Sequence, residues 1–184
     1  MLEESGGCEA AVSRRIRASW TKYRELSGVL VANDIPERLK GMLYNVYIRP
    51  VAAYGSETWP LRLEEEKRLQ RMEIKMLRWM IGGEVEEKEV RGRLGVVDIG
   101  MVMRRSRLRW LGHVERRDEQ VWTKKIRTME VYGSRPKGRP RMSWSHVVER
   151  DLRAWRMKVE DSADRSVWKD RLFNAMREVY PQSV

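Results

Sequence analysis

Leu63-Glu64-Glu65-Glu66-Lys67-Arg68-Leu69-Gln70-Arg71-Met72-Glu73-Ile74-Lys75-Met76-Leu77-Arg78-Trp79-Met80-Ile81-Gly82-Gly83 is the stretch that decides the fold class. Leu63, Leu69, Met72, Met76, Leu77 and Met80 recur at the three-and-four spacing of one helical face, while the charged run 64–68 takes the other. The paired glycines are a natural stop. The same period runs outward in both directions. Upstream, Val12, Ile16, Ser19/Trp20, Tyr23, Leu26 and Leu30 form one amphipathic stripe. Asn33 or Asp34 can cap a second helix that opens on Pro36 and carries Leu39, Leu43, Val46, Tyr47, Val51 and Tyr54, with Pro50 expected to bend or end it locally and Gly55 a natural stop. Downstream, helices are expected near 86–94, 99–117, 119–129, from a Ser143 cap to 155, and from Ser162 or Asp164 to 179. No alternating β-branched pattern is sustained anywhere. The expectation is all-α: an irregular bundle of seven to eight helices with a Gly/Pro/Arg-rich loop at 133–141.

Composition agrees with wide solvated helix faces. Of the 184 residues, 41% are apolar and 35% charged, and the core aromatics must be mostly Trp, since there are eight Trp and one Phe. Trp59, Trp79, Trp110, Trp144, Trp155 and Trp168 fall near helix junctions, where burial is the ordinary role and stacking on bases an alternative for one or two. Trp20, Tyr44 and Trp59 are candidates for an open apolar face that would favour self-association. The single cysteine, Cys8, excludes an intramolecular disulfide and a Cys-based zinc finger, and points to a reducing compartment. No apolar run approaches the roughly 20 residues of a membrane helix. An intracellular chain, in nucleus or cytoplasm and with no membrane partner, is expected.

The net charge of +11 is concentrated rather than spread: residues 101–144 hold thirteen basic and four acidic residues, whereas 31–100 hold twelve of each. A polyanion is the natural partner of such a segment, because every phosphate neutralised releases condensed counterions. Within it, Arg105, Arg109 and Arg116 fall near one helical stripe with Arg104 and Arg107 alongside, Leu108 and Leu111 turn inward, and His113 and Arg117 follow. Guanidinium forks suit phosphates bidentately. The competing reading pairs these arginines with the acidic segment 84–89. Lys124 and Lys125 extend the basic surface. Arg135-Pro136-Lys137-Gly138-Arg139-Pro140-Arg141 is similar to the core of an AT-hook, which lays arginine into a narrow A·T-rich minor groove; its plain alternative is a basic tether. The nucleic-acid-binding candidates are therefore Arg104, Arg105, Arg107, Arg109, His113, Arg116, Arg117, Lys124, Lys125, Arg135, Lys137, Arg139 and Arg141. Catalysis finds no support: no Asp-Asp pair occurs, and the two histidines, His113 and His146, have no ligand-like spacing. No cofactor or metal is expected.

Four ordered blocks resemble the C-terminal region of LINE-type, non-LTR retrotransposon reverse transcriptases of the endonuclease-bearing kind. They are Arg15-Ile16 through Gly28-Val29-Leu30; Pro36-Glu37-Arg38-Leu39-Lys40 through Tyr44 with Arg49-Pro50 and Tyr54-Gly55-Ser56-Glu57-Thr58-Trp59; Met76-Leu77-Arg78-Trp79-Met80; and Arg107-Leu108-Arg109-Trp110-Leu111-Gly112-His113-Val114 with Gly138-Arg139-Pro140 and Trp144. The resemblance implies a thumb-like helical region at 1–80 and a basic C-terminal helical region at 81–184. It further implies that the palm with its paired aspartates has no counterpart here, so that RNA-directed DNA polymerase activity would be the family's and not this chain's. Duplex DNA, RNA or an RNA–DNA hybrid is the implied partner, with the remainder of a reverse transcriptase as another. Two alternatives stand beside it: a decayed open reading frame, and a helical interaction module acting with a complete polymerase in trans.

Overall fold

The computed structural model describes residues 8–129 and 142–179. Among these residues every regular element is helical, and the protein is all-α. The α-helices are α1 (Glu9–Glu25), α2 (Ser27–Leu30), α3 (Glu37–Leu43), α4 (Arg49–Ala53), α5 (Leu63–Ile81), α6 (Glu87–Leu94), α7 (Ile99–Glu115), α8 (Trp122–Thr128), α9 (Trp144–Ala154) and α10 (Arg165–Val179). Short 3-10 turns lie at Ser56–Thr58 and Val159–Ala163. A π turn, Tyr44–Ile48, joins α3 to α4 in one rod. Taking α1 with α2 and α3 with α4, the described residues form eight rods. The loop at 133–141 lies outside the described residues.

Local chemistry explains the boundaries. Gly55 and Gly82 stop their helices with left-handed φ values of 77° and 75°, a conformation that glycine alone adopts without a Cβ clash. Ser143 accepts the His146 amide at 3.3 Å, and Asp164 accepts the Ser166 and Val167 amides at 2.7 and 3.1 Å, each satisfying otherwise orphaned first-turn donors. Pro50 neither ends the rod nor breaks it. It sits in the first turn of α4, directly after the π turn, where its missing N–H and bulky ring are tolerated. The start of α3 differs from expectation: Pro36 itself, with ψ 135°, occupies the cap position, and neither Asn33 nor Asp34 caps the helix.

Two hydrophobic cores follow one another along the chain. The first gathers α1, α3, α4 and α6 around α5, whose Leu69, Met72, Met76, Leu77 and Met80 are all buried; each such side chain contributes about 1.5–3 kcal/mol of transfer free energy. Tyr44 and Trp59 belong to this core at 0% and 7% exposure. The open apolar face is instead made by Leu39, Met42, Val46 and Tyr47 on the outer side of the α3–α4 rod. Gly41 lets α3 cross α6 in contact, since a Cβ there would lie 1.8 Å from the Leu94 carbonyl oxygen.

A fully buried carboxylate, Glu73, ties four segments together. It accepts from Arg49 at 2.9 Å, Arg91 at 2.7 Å, the Tyr44 hydroxyl at 3.0 Å and the Ile99 amide at 2.8 Å. Such a charge is tolerable in a core only when its lone pairs are satisfied this fully. Burial pushes the Tyr44 pKa up and the Glu73 charge pushes it further. Burial alone would lower that of Arg91, but the carboxylates of Glu73, Asp98 and Glu87 together more than offset it.

Helix α7 runs through both cores. Its Met103 belongs to the first, whereas Leu108 and Leu111 join Val148, Leu152, Met157, Trp168 and Leu172 in the second. The seam between the two cores thus falls inside α7, and Val90, Leu94, Val96 and Ile99 pack with the first core.

Candidate nucleic-acid interface

Asp98 opens α7 by accepting the Gly100 and Met101 amides, and the helix then presents its basic run on two different faces. The inward face corrects one expectation. Arg107 has 0% exposed surface, and its Nε donates to Asp151 Oδ2 at 2.7 Å. It is a structural ion pair, shut off from any phosphate. Arg104 is directed the same way, 3.1 Å from Asp151 Oδ1 and 5.8 Å from the centre of the Trp155 ring. Further along, Lys124 is committed to Glu119 at 2.5 Å and to the Glu115 carbonyl at 3.0 Å, and Lys125 lies 5.7 Å from the Trp122 ring centre. Arg127 pairs with Glu115.

The outward face is different. Arg105, Arg109, Arg116 and Arg117 line a groove of about 810 Å³ between α7 and α10, whose opposite wall supplies Arg165 and Lys169. Six cations face it against one carboxylate residue, Glu57. Arg105, Arg109, Arg165 and Lys169 are exposed and have no carboxylate in ion-pairing distance among the described residues. The acidic segment 84–89 does not reach them: Glu84, Glu87 and Glu89 pair with Arg78, Arg91 and Arg93. Arg116 donates to the Ser162 carbonyl at 2.8 Å, and Arg117 donates to His113 Nε2 at 3.2 Å, so both are held at the rim. The His113 ring stacks on Trp110 with centres 5.3 Å apart, giving the groove an aromatic floor.

What fixes the groove is the seat of α10. Trp168 Nε1 donates to the Leu108 carbonyl at 3.0 Å, and the absence of a side chain at Gly112 makes room for the indole. Asp164 anchors the first turn, its carboxyl held below the usual range by the Ser166 hydroxyl and the Ser166 and Val167 amides. Arg165 and Lys169, four residues apart on α10 and about 6 Å along its axis, then face Arg105 and Arg109, which have the same spacing on α7. Two rows of cations at that spacing can follow a phosphate backbone.

Sequence reasoning named the α7 row and missed the α10 row, because 145–184 carries eight basic and seven acidic residues and shows no excess. The candidates Arg135, Lys137, Arg139 and Arg141 lie outside the described residues. Among the described residues no three His, Cys, Asp or Glu side chains converge, and no helix is long and apolar enough to cross a membrane.

Comparison with known proteins places the chain beside an uncharacterized transposon-derived protein of Caenorhabditis elegans, 21% identical over 150 residues, which cover 77% of this chain and 53% of that one. The chain thus spans about half the length of the relative it matches. No protein-family model and no solved structure matches it. The similarity supports a transposon-related origin.

Proposed function

We propose that this chain is a nucleic-acid-binding helical module of retrotransposon origin, corresponding to the thumb and C-terminal region of a reverse transcriptase without its palm, and that it holds the phosphate backbone of a duplex in the α7–α10 groove. One observation carries the reading: within a strongly basic segment, Arg104 and Arg107 share the Asp151 carboxylate, while Arg105 and Arg109 have no carboxylate in ion-pairing distance among the described residues and are joined by Arg165 and Lys169 from a distant part of the chain. Cations assembled from two helices and left unneutralised cost folding free energy through mutual repulsion, and a polyanion offsets that cost. The transposon-derived relative is consistent with such an origin. Polymerisation would belong to a partner that brings the paired carboxylates. The test is binding of a short duplex at several salt concentrations. With four to six phosphates neutralised, log K should fall against log salt with a slope of about −4 to −5 on B-DNA. A flat response sinks the reading.

A second reading, a module that docks on a complete polymerase, draws on the exposed stripe of Leu39, Met42, Val46 and Tyr47. It is compatible with the first, since the stripe lies on the α3–α4 rod and shares no residue with the groove. Concentration-dependent sedimentation with and without Met42→Glu would separate a sticky face from an inert one.

A further inference from the structure

Trp79, on the last turns of α5, keeps 53% of its surface exposed, while Trp59 in the first core keeps 7%. The indole is nonetheless held in place. Its centre lies 5.2 Å from that of Trp20, tilted at 56°, and 6.2 Å from that of Tyr23. Trp20, Trp79, Arg24, Arg71 and Lys75 line a groove of about 400 Å³ between α1 and α5, floored by Met72. The Lys75 ammonium sits 5.4 Å from the Trp79 ring centre, so the ring is already used as a cation-binding surface. Arg24, Arg71 and Lys75 have no carboxylate partner among the described residues; the nearby Glu25 is taken by Lys22 at 2.8 Å. Three cations without carboxylate partners among the described residues therefore collect around an exposed indole in a part of the chain with almost no charge excess to explain them: residues 1–30 hold five basic and four acidic residues, and residues 31–100 hold twelve of each.

A rigid, half-exposed ring beside unpaired guanidinium groups has the chemistry of a stacking platform: the ring takes the face of a base and the cations take the flanking phosphates. Competing ligands fit less well. Three cations repel a methylated lysine. An acidic peptide would satisfy the cations and leave the ring unused. Paired bases are stacked on one another and present no free face, so the strand must be unpaired. We infer that the α1–α5 groove is a second nucleic-acid site, distinct from the α7–α10 groove, which takes a nucleotide of single-stranded DNA or RNA with its base on Trp79 and its phosphates on Arg24 and Arg71. On binding, the flexible Lys75 stem swings from the ring to a phosphate.

The two grooves share no lining residue, so the inference does not depend on the duplex reading. The experiment uses the full chain, an adenine deoxyhexamer, and the abasic hexamer of equal charge. Trp79→Leu keeps apolar bulk without a π face, and Trp79→Phe keeps a ring. Loss of stacking should weaken hexamer binding about tenfold in the Leu variant, whereas the Phe variant should retain most of the affinity. The abasic strand should bind wild type about as weakly as the hexamer binds the Leu variant. Arg24→Ala with Arg71→Ala should flatten the salt slope on the hexamer by about 1.4. The Trp79 difference should persist in an Arg105→Ala, Arg109→Ala background. Equal affinities of the Phe and Leu variants, or displacement of the hexamer by hexaglutamate as readily as by free hexamer, would overturn the inference.

Discussion

Gly112 and Trp168 share one volume: a Cβ on Gly112 would stand 2.4 Å from Trp168 Nε1, the nitrogen that donates to the Leu108 carbonyl. The glycine is therefore a seat for α10, and through α10 for two of the groove's cations. Gly112→Ala gains up to about 1 kcal/mol of helix propensity, but it drives a methyl into a rigid ring that is 2% exposed, an overpacking cost of about 1–3 kcal/mol. The clash should win. Chemical denaturation should show a net loss of about 1–2 kcal/mol, with a larger loss of duplex affinity than stability alone accounts for. Gly92 in α6 is the control: nothing lies within 4 Å of its Cβ position, so Gly92→Ala should stabilise by about 0.5–1 kcal/mol.

Arg107 and Asp151, both at 0% exposure, should behave as a folding pair. Asp151→Ala leaves a guanidinium buried without its carboxylate and should cost about 3–5 kcal/mol. Replacing both, Arg107→Met with Asp151→Leu, should recover much of that loss. Arg107→Met in conditions where it stays folded should leave the salt slope on duplex untouched. A lowered slope would mean that Arg107 reaches phosphate after all.

Tyr23 predicts an alkaline sensitivity. Its ring is 2% exposed, its hydroxyl has no hydrogen-bond partner among the described residues, and burial pushes its pKa from 10.0 up to about 12. The unfolded chain loses this proton near its ordinary value and the folded chain only later. Stability is thus full below about pH 10 and falls as pH rises toward 12. A difference of this size is worth about 2–3 kcal/mol once both states have titrated. Tyr44, raised in the same direction, adds to the fall. Tyr23→Phe should make the decline shallower, as read by unfolding midpoints across that range. An unchanged profile would place the Tyr23 hydroxyl in solvent.

Most of the fold was legible because helices announce themselves locally. The stripes of α1, α5 and α7 follow from spacing alone, and Gly55, Gly82, Ser143 and Asp164 act within a few residues of where they stand. The site was half legible. Arg105 and Arg109 face outward as their stripe implies, whereas Arg107 precedes Leu111 by four residues and so shares the buried face. Charge argued for the surface, and only Asp151, 44 residues away, makes the interior tolerable. Glu73 hid in the same way: it stands four residues from both Leu69 and Leu77 on the apolar stripe, in a helix rich in glutamate, and its partners Arg49 and Arg91 come from other elements. The Arg165–Lys169 row was invisible because docking α10 on α7 is a long-range event.

Two helices bring four cations, none with a carboxylate in ion-pairing distance among the described residues, to the one groove proposed to follow a phosphate backbone. The salt dependence of duplex binding measures this most directly, in three variants: Arg105→Ala with Arg109→Ala, Arg165→Ala with Lys169→Ala, and Arg107→Met. Each pair should lower the magnitude of the slope by about 1.8, to the same extent on any sequence, and Arg107→Met should leave it unchanged. If the Arg165/Lys169 pair shows the wild-type slope while the Arg105/Arg109 pair lowers it, α10 takes no part in the interface; if neither pair lowers it, the α7–α10 groove is not where this protein meets nucleic acid.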